Sequence, residues 1–263
     1  MTFGLATAAA VAGGGVVMGI SAFAFPLFAG GALAVTRPPA TVIPAVMILA
    51  DVMMVTLLVE NRGALRGRPV WRLPIFHAGP IVLAGVGLGA GTMLLAASPP
   101  RILRAGLAAA TVMAGVLALG QGRLRAPVGA AADHERRRRE AARAWVTGLA
   151  AGFFQGWMGV GGVPVLVYLL WRSVEREPFL AAGCVAFLSV DFLRLLDFVA
   201  RDALDRQVIQ LILDIAPLAL GGFVVGAIAR RYWIPRHRFH VAVALALIAI
   251  GVALGVETWG RAR

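Results

Sequence analysis

Three ionisable residues interrupt an otherwise apolar stretch at one-turn intervals: Asp191, Arg194 and Asp197. The first of them is matched 140 positions earlier (191 − 51) by Asp51. Spacing of i, i+3 places the three on one helix face, where Arg194 can pair with either aspartate. A guanidinium meets a planar oxyanion through two parallel hydrogen bonds, which makes Arg194 a candidate anion anchor. Burial disfavours the charged form of a carboxyl, the property a proton carrier needs, and Asp51 and Asp191 are the candidates. The competing account is a structural ion-pair ladder that fixes helix packing; it applies to Asp191 and above all to Asp197. Asp51 has no basic residue in its own apolar run and is the better proton site of the two.

A second group of residues could open the backbone to a ligand. Gly152-Phe-Phe-Gln155-Gly156 continues through Gly159, Gly161 and Gly162 to Pro164. Glycine weakens a helix and proline removes an amide donor, so a helix should break here. Backbone opened at membrane depth must line a cavity or be buried in protein, because lipid cannot satisfy its amides. A helix N-terminus at such a break offers free N–H groups and a partial positive charge, which suits an oxyanion. Gly159, Gly161 and Gly162 are therefore candidate substrate-binding residues, with Gln155 adding a side-chain donor. Earlier in the chain, Gly15-Val-Val-Met-Gly19 leads through Ser21 to Pro26, and Ser21 is the candidate there. The pairs Gly15/Gly19 and Gly152/Gly156 also fit close helix packing, the preferred account of those four.

These residues must be held by membrane-spanning helices. The chain has 263 residues, 60% hydrophobic and 14% charged, and its mean hydropathy is +0.83. A soluble protein of that composition would expose far too much apolar surface. Apolar runs of about 20 residues recur along the whole length, enough to cross a ~30 Å hydrocarbon core. They cover 4–35, 40–60, 75–97 and 102–121, then 146–171, 178–200, 208–229 and 239–257. The expected fold is an all-α polytopic membrane protein. Its divisions are a first transmembrane repeat (1–121), a basic connector (122–144) and a second transmembrane repeat (145–263). The N-terminus lacks a basic stretch before its first apolar run, which argues against a cleaved signal peptide.

The repeat is visible in the offsets. Gly15 and Gly152, Pro80 and Pro217, and Gly89 and Gly226 are each 137 apart, and His77 precedes Pro80 as Asp214 precedes Pro217. Matching Gly/Pro-interrupted apolar segments in two halves point to a secondary transporter built from repeats. All 25 basic residues other than histidine are arginine, and they cluster in loops; the net charge of +12 therefore reads as loop orientation rather than nucleic-acid binding. Loop 61–74, the connector with Arg136-Arg-Arg-Arg139, and loop 230–238 should share the cytoplasmic face, whereas 201–207 balances its charges. Three full crossings between the connector and 230–238 would put them on opposite faces. A break that returns 146–171 to its starting side, as a re-entrant hairpin, removes the conflict. Its partner 4–35, at 32 residues, would be about 48 Å long as one helix and suits two short ones. Each half is then a broken hairpin plus three crossings, and the halves are inverted.

The stretch Gly152-Phe-Phe-Gln-Gly156-Trp-Met-Gly159-Val-Gly161-Gly162-Val-Pro164 resembles the motif of the TauE/SafE sulfite exporter family, the sulfite and organosulfonate permease-like transporters. The first half keeps Gly15 and Gly19 but replaces the glycine cluster with Ile20-Ser-Ala-Phe-Ala-Phe25. The resemblance implies export or uptake of a small sulfur-containing or carboxylate anion. Ser21, Phe23 and Phe25 would give the pocket a different shape.

The expected function is a secondary transporter of a small anion, working by alternating access and with protons as a candidate coupling ion. It is expected in a bacterial inner membrane, with the lipid bilayer and its substrate as partners. No P-loop supports a pump. Cys184, the only cysteine, excludes an intramolecular disulfide and any cysteine-cluster metal site. An intramembrane enzyme would need a nucleophile and its base, yet Cys184 and Ser189 have no histidine partner in the spans. His77, His134, His237 and His240 fall near ends or in loops. No catalytic residue, cofactor or metal is assigned. The alternative is a membrane scaffold or assembly factor, which needs no site and leaves Asp51 and Asp191 unexplained.

Overall fold

The computed structural model describes residues 4–23, 25–33, 37–63, 73–119, 133–159, 161–171, 176–200 and 202–234, with scattered helical positions between 241 and 256. Its regular elements are helices: α1 (Leu5–Ser21), α2 (Phe25–Leu33), α3 (Pro39–Glu60), a 3-10 turn (Pro74–Phe76), α4 (Ala78–Ala97), α5 (Pro100–Leu119), α6 (Asp133–Met158), α7 (Gly162–Trp171), α8 (Arg176–Ala200) and α9 (Arg206–Tyr232). The windows Ala40–Glu60, Ala78–Leu95, Pro178–Ala200 and Arg206–Tyr232 are each long and apolar enough to cross a bilayer. Val52, Val55, Val86, Met93, Leu213 and Val224 are exposed on them, the inside-out surface that lipid accepts and water does not. The chain is an all-α, polytopic membrane protein.

Local sequence explains several helix ends. Pro39 lies in the first turn of α3, where a missing amide costs little. Asp205 caps α9 by accepting from the Val208 amide at 2.9 Å. Arg230 and Arg231 close α9 in its last turn, where cations suit the helix dipole. Loop 230–238 thus begins inside a helix. The connector differs from a loop as well: α6 starts at Asp133 and runs unbroken to Met158, so the arginine run and the first span of the second half share one helix.

Both long apolar runs are broken, at equivalent places. Ala22 (φ +64°) ends α1 and Gly159 (φ +72°) follows α6, and 159 − 22 is again 137. Each break separates a long helix from a short one: α1 from α2, and α6 from α7.

Two helix pairs dominate the packing, and each joins opposite halves: α1 against α9 and α4 against α6. Their backbones approach so closely that side chains are excluded. A Cβ on Gly15 or Gly19 would overlap the carbonyls of Ala219 or Phe223, and one on Gly152 or Gly156 would overlap those of Ala84 or Leu88. In return, Gly222 and Gly226 face the carbonyls of Ala12 and Val16, as Gly87 and Gly91 face those of Leu149 and Phe153. The two interfaces correspond residue by residue, 137 apart along α1 and α6 but 135 apart along α4 and α9. Proline and glycine offsets therefore mislead in α4. Gly85 and Gly89 touch nothing, and Gly87 and Gly91 make the contact. Pro80 lies in the first turn of α4, whereas Pro217 is inside α9.

The remaining helices fill the centre. α3 packs on α8 and α9, and the two short helices α2 and α7 pack on α3 and α8 respectively. Phe25, Leu33, Met53, Leu57, Leu166, Leu169 and Phe179 form the fully buried core between them. At the periphery, the 241–256 segment meets α5 through Gly115 against Ala244 and Ile248, and Gly251 against Val112.

Candidate functional site

The two breaks meet. A cavity of about 50 Å³ is bounded by Phe23, Pro26 and Leu27 after the first break, and by Gly159, Gly161, Gly162 and Val163 at the second. Met47 and Met54 of α3, Gln155 of α6, and Phe187, Val190 and Asp191 of α8 complete its wall. The space suffices for about three to five waters, at one per ~10–15 Å³. Glycine is favoured at 159 by the left-handed backbone. At 161 a Cβ would collide with the Ala151 carbonyl and the Gln155 side chain. Gly162 lies flat against the Phe187 ring, 3.0 Å from where a Cβ would stand.

Gln155 ties the polar parts together. Its Oε1 accepts the Gly161 amide at 2.6 Å, and its Nε2 donates to Asp191 Oδ1, with Met47 Sδ 3.9 Å away. Asp191 is buried, and Asp51 of α3 stands near it across the α3–α8 contact, with its own Oδ1 buried. The two aspartates matched in the sequence thus meet in space.

Arg194 is buried one turn beyond Asp191, and its guanidinium is aimed at backbone. Nη1 donates to the carbonyls of Gln155 and of Gly156, the latter at 3.1 Å. Carbonyls near a helix C-terminus lack intrahelical partners, and a cation there also answers the dipole. The Arg194 guanidinium further stacks over the Phe198 ring at 5.4 Å. Arg194 is not among the cavity's walls; it holds the end of α6 that forms one of them. Ser21 is likewise outside the wall. Fully buried, its hydroxyl donates to the Val17 carbonyl at 2.7 Å, with the Phe23 carbonyl 3.1 Å away, and so closes the end of α1. Phe23 faces the cavity, while Phe25 belongs to the core.

The glycine motif is thereby divided by role. Gly152 and Gly156 pack against α4, and Gly159, Gly161 and Gly162 face the cavity. At the start of α7, the amides of Gly162 and Val163 point back toward the break without intrahelical acceptors, while Pro164 has no amide to offer. An oxyanion in the cavity would find these donors.

Met47, Met54, Phe187 and Val190 gave no signal in the sequence, because an apolar cavity wall and a helix core use the same residue types. Glu60 and Arg230 were also missed as a pair. Arg230 lies in the last turn of α9, buried, and meets the half-exposed Glu60 of α3 at 2.5 Å. His77 is exposed ahead of α4, and Asp214 is half-buried on α9. No group of three or more metal-ligating side chains occurs among the described residues.

No curated protein and no solved structure matches the chain. A family model does: that described as "Sulfite exporter TauE/SafE" matches residues 3–254, nearly the whole sequence, and the chain belongs to that family.

Proposed function

We propose that this protein carries a small sulfur oxyanion, sulfite or a small organosulfonate or a related carboxylate, through the cavity at the two helix breaks. The family is one of membrane transporters for sulfite or related anions. The observation that carries the finer reading is the convergence of both breaks on one cavity walled by Gln155 and Asp191, with Asp51 behind. Four heavy atoms, as in sulfite, suit a space of about 50 Å³; a longer sulfonate needs the walls to part. Gly159, Gly161, Gly162 and Gln155 form the substrate site. Asp51 and Asp191 hold the coupling proton, and Arg194 and Ser21 keep the two helix ends in place.

The two halves, 1–121 and 145–263, form inverted repeats about the bilayer midplane, with the basic connector 122–144 in the cytoplasm of a bacterial cell. The reciprocal α1–α9 and α4–α6 interfaces support a two-fold relation between the halves, and the loop charges favour its inverted form. Alternating access is a movement of the hairpins α1–α2 and α6–α7 against the central pair α3 and α8. The chain is assigned no enzymatic reaction.

The test is uptake by purified protein in proteoliposomes. Sulfite, sulfoacetate, sulfate and simple carboxylates are offered with and without a proton gradient. The proposal expects flux of at least one sulfur oxyanion, stimulated by the gradient, and loss of that stimulation in Asp51→Asn. Flux of none of them would end the transporter reading and favour the scaffold. Labelling of single cysteines placed at 201–207 from the cytoplasmic side would exclude the inverted arrangement.

A further inference from the structure

We propose that Gln155 is the coupling residue, through which a proton on the Asp51–Asp191 pair governs anion access to the start of α7. The proposal rests on the reading of the cavity as an anion site. Its ground is the two-ended engagement of one buried amide. Gln155 Oε1 occupies the Gly161 N–H, the donor at the mouth of α7, and Nε2 is spent on Asp191. Gln155 is only 4% exposed and stands in the cavity wall, so a broken bond leaves a buried polar group that only the cavity's contents can satisfy.

The same amide therefore serves two competitors. An anion needs the Gly161 N–H and the Gln155 Nε2, and it is repelled by an ionised Asp191. While Asp191 is ionised, it holds Nε2 by a charge-assisted bond, and the far end of the amide keeps Gly161 covered. Once Asp191 carries a proton, that bond weakens to a neutral one. The amide can then turn: Nε2 faces the cavity and the Gly161 N–H is uncovered. A proton and an anion thus enter together, and neither is favoured alone.

The surroundings of Asp191 leave this role to Gln155. From α3 comes Asp51, from α6 Gln155, and from its own helix Arg194 and Asp197. α4 and α7 also pack on α8, yet α4 has no ionisable side chain and α7 only Tyr168. Arg194 offsets the charge of Asp191 from one turn away and holds the carbonyls of Gln155 and Gly156. No basic side chain is among the described residues of the cavity wall, so an anion there must be balanced by a proton on the acid pair.

The experiment is sulfite exchange across proteoliposomes at equal pH on both sides, over a range of pH. Each variant is expressed as a ratio to wild type, which removes sulfite's own protonation. Wild-type exchange should fall as pH rises, by up to about tenfold per unit where one proton is required. Gln155→Met fills the same space without either bond. Its loss of exchange at alkaline pH should shrink by about 2- to 12-fold, the worth of one hydrogen bond. Gln155→Glu keeps an acceptor for Gly161 but sets a second acid beside Asp191, which holds the proton there longer and should move the fall to higher pH. A residue that merely supports the fold would scale the rate equally at every pH. Parallel profiles in wild type and in either folded variant overturn the proposal. A wild type that exchanges no sulfite contradicts the transport reading for that anion, a result distinct from parallel profiles.

Discussion

Gly89 and Gly91 are two residues apart on α4, and the fold assigns them opposite responses to a single methyl group. Gly91 is buried against α6. A Cβ there would overlap the Phe153 carbonyl and stand 2.7 Å from the Trp157 amide nitrogen and 3.1 Å from the Gly156 carbonyl carbon. The Trp157 contact alone is about 0.7 Å inside ordinary van der Waals distance, so α4 and α6 must separate, and a gap of that size forfeits about a quarter to a half of each opposing contact. Overpacking of this kind costs about 1–3 kcal/mol. Gly89 is exposed, with nothing within 4 Å of a Cβ. Alanine at either site gains the same helix propensity, about 1 kcal/mol, so the difference between variants isolates the interface. Gly91→Ala should be less stable than Gly89→Ala by about 1–3 kcal/mol. At about 2–4 °C per kcal/mol for a chain of this size, melting in mild detergent should separate them by about 2–12 °C. Equal melting temperatures, or Gly89→Ala the lower, would refute the interface and the two-residue change of register in α4.

Three further outcomes follow from the breaks and the buried arginines. Ala22 holds a left-handed backbone that costs an L-residue about 1–2 kcal/mol, so Ala22→Gly should raise the melting temperature and Gly159→Ala should lower it by a comparable amount. Arg194→Ala removes a charged donor from the end of α6; at about 1.5–3 kcal/mol per such bond it should destabilise visibly in the same melt and slow anion exchange. Glu60→Gln leaves the buried Arg230 without its counter-charge on α3. Because Glu60 is 42% exposed on its side chain, about 1 kcal/mol is expected, checked by melting at low and high salt.

The sequence carried the architecture because membrane helices announce themselves by length and hydropathy, and because breaks need glycine or proline. It also showed that Asp51 and Asp191 correspond, but only packing of α3 on α8 brings their carboxyls together. Arg194 was legible as a costly buried cation and not by its partners. Backbone carbonyls at the end of α6 leave no trace in the identity of the residues that bear them. The register of α4 failed for a related reason. Gly85, Gly87, Gly89 and Gly91 alternate, and composition cannot say which pair faces α6. Ser21 was placed by its match to the glycine cluster, whereas its hydroxyl is consumed by the backbone it closes.

The most direct measurement is a structure of the protein with selenite, a heavier analogue of sulfite whose selenium can be located by anomalous scattering. The account predicts one selenium site in the cavity, beside Gly161 and Gly162 and within reach of Gln155, with the Gln155 amide turned from Gly161. Selenium bound elsewhere, such as between α5 and the 241–256 segment, or a cavity that stays closed by Gln155 at saturating selenite, would contradict it.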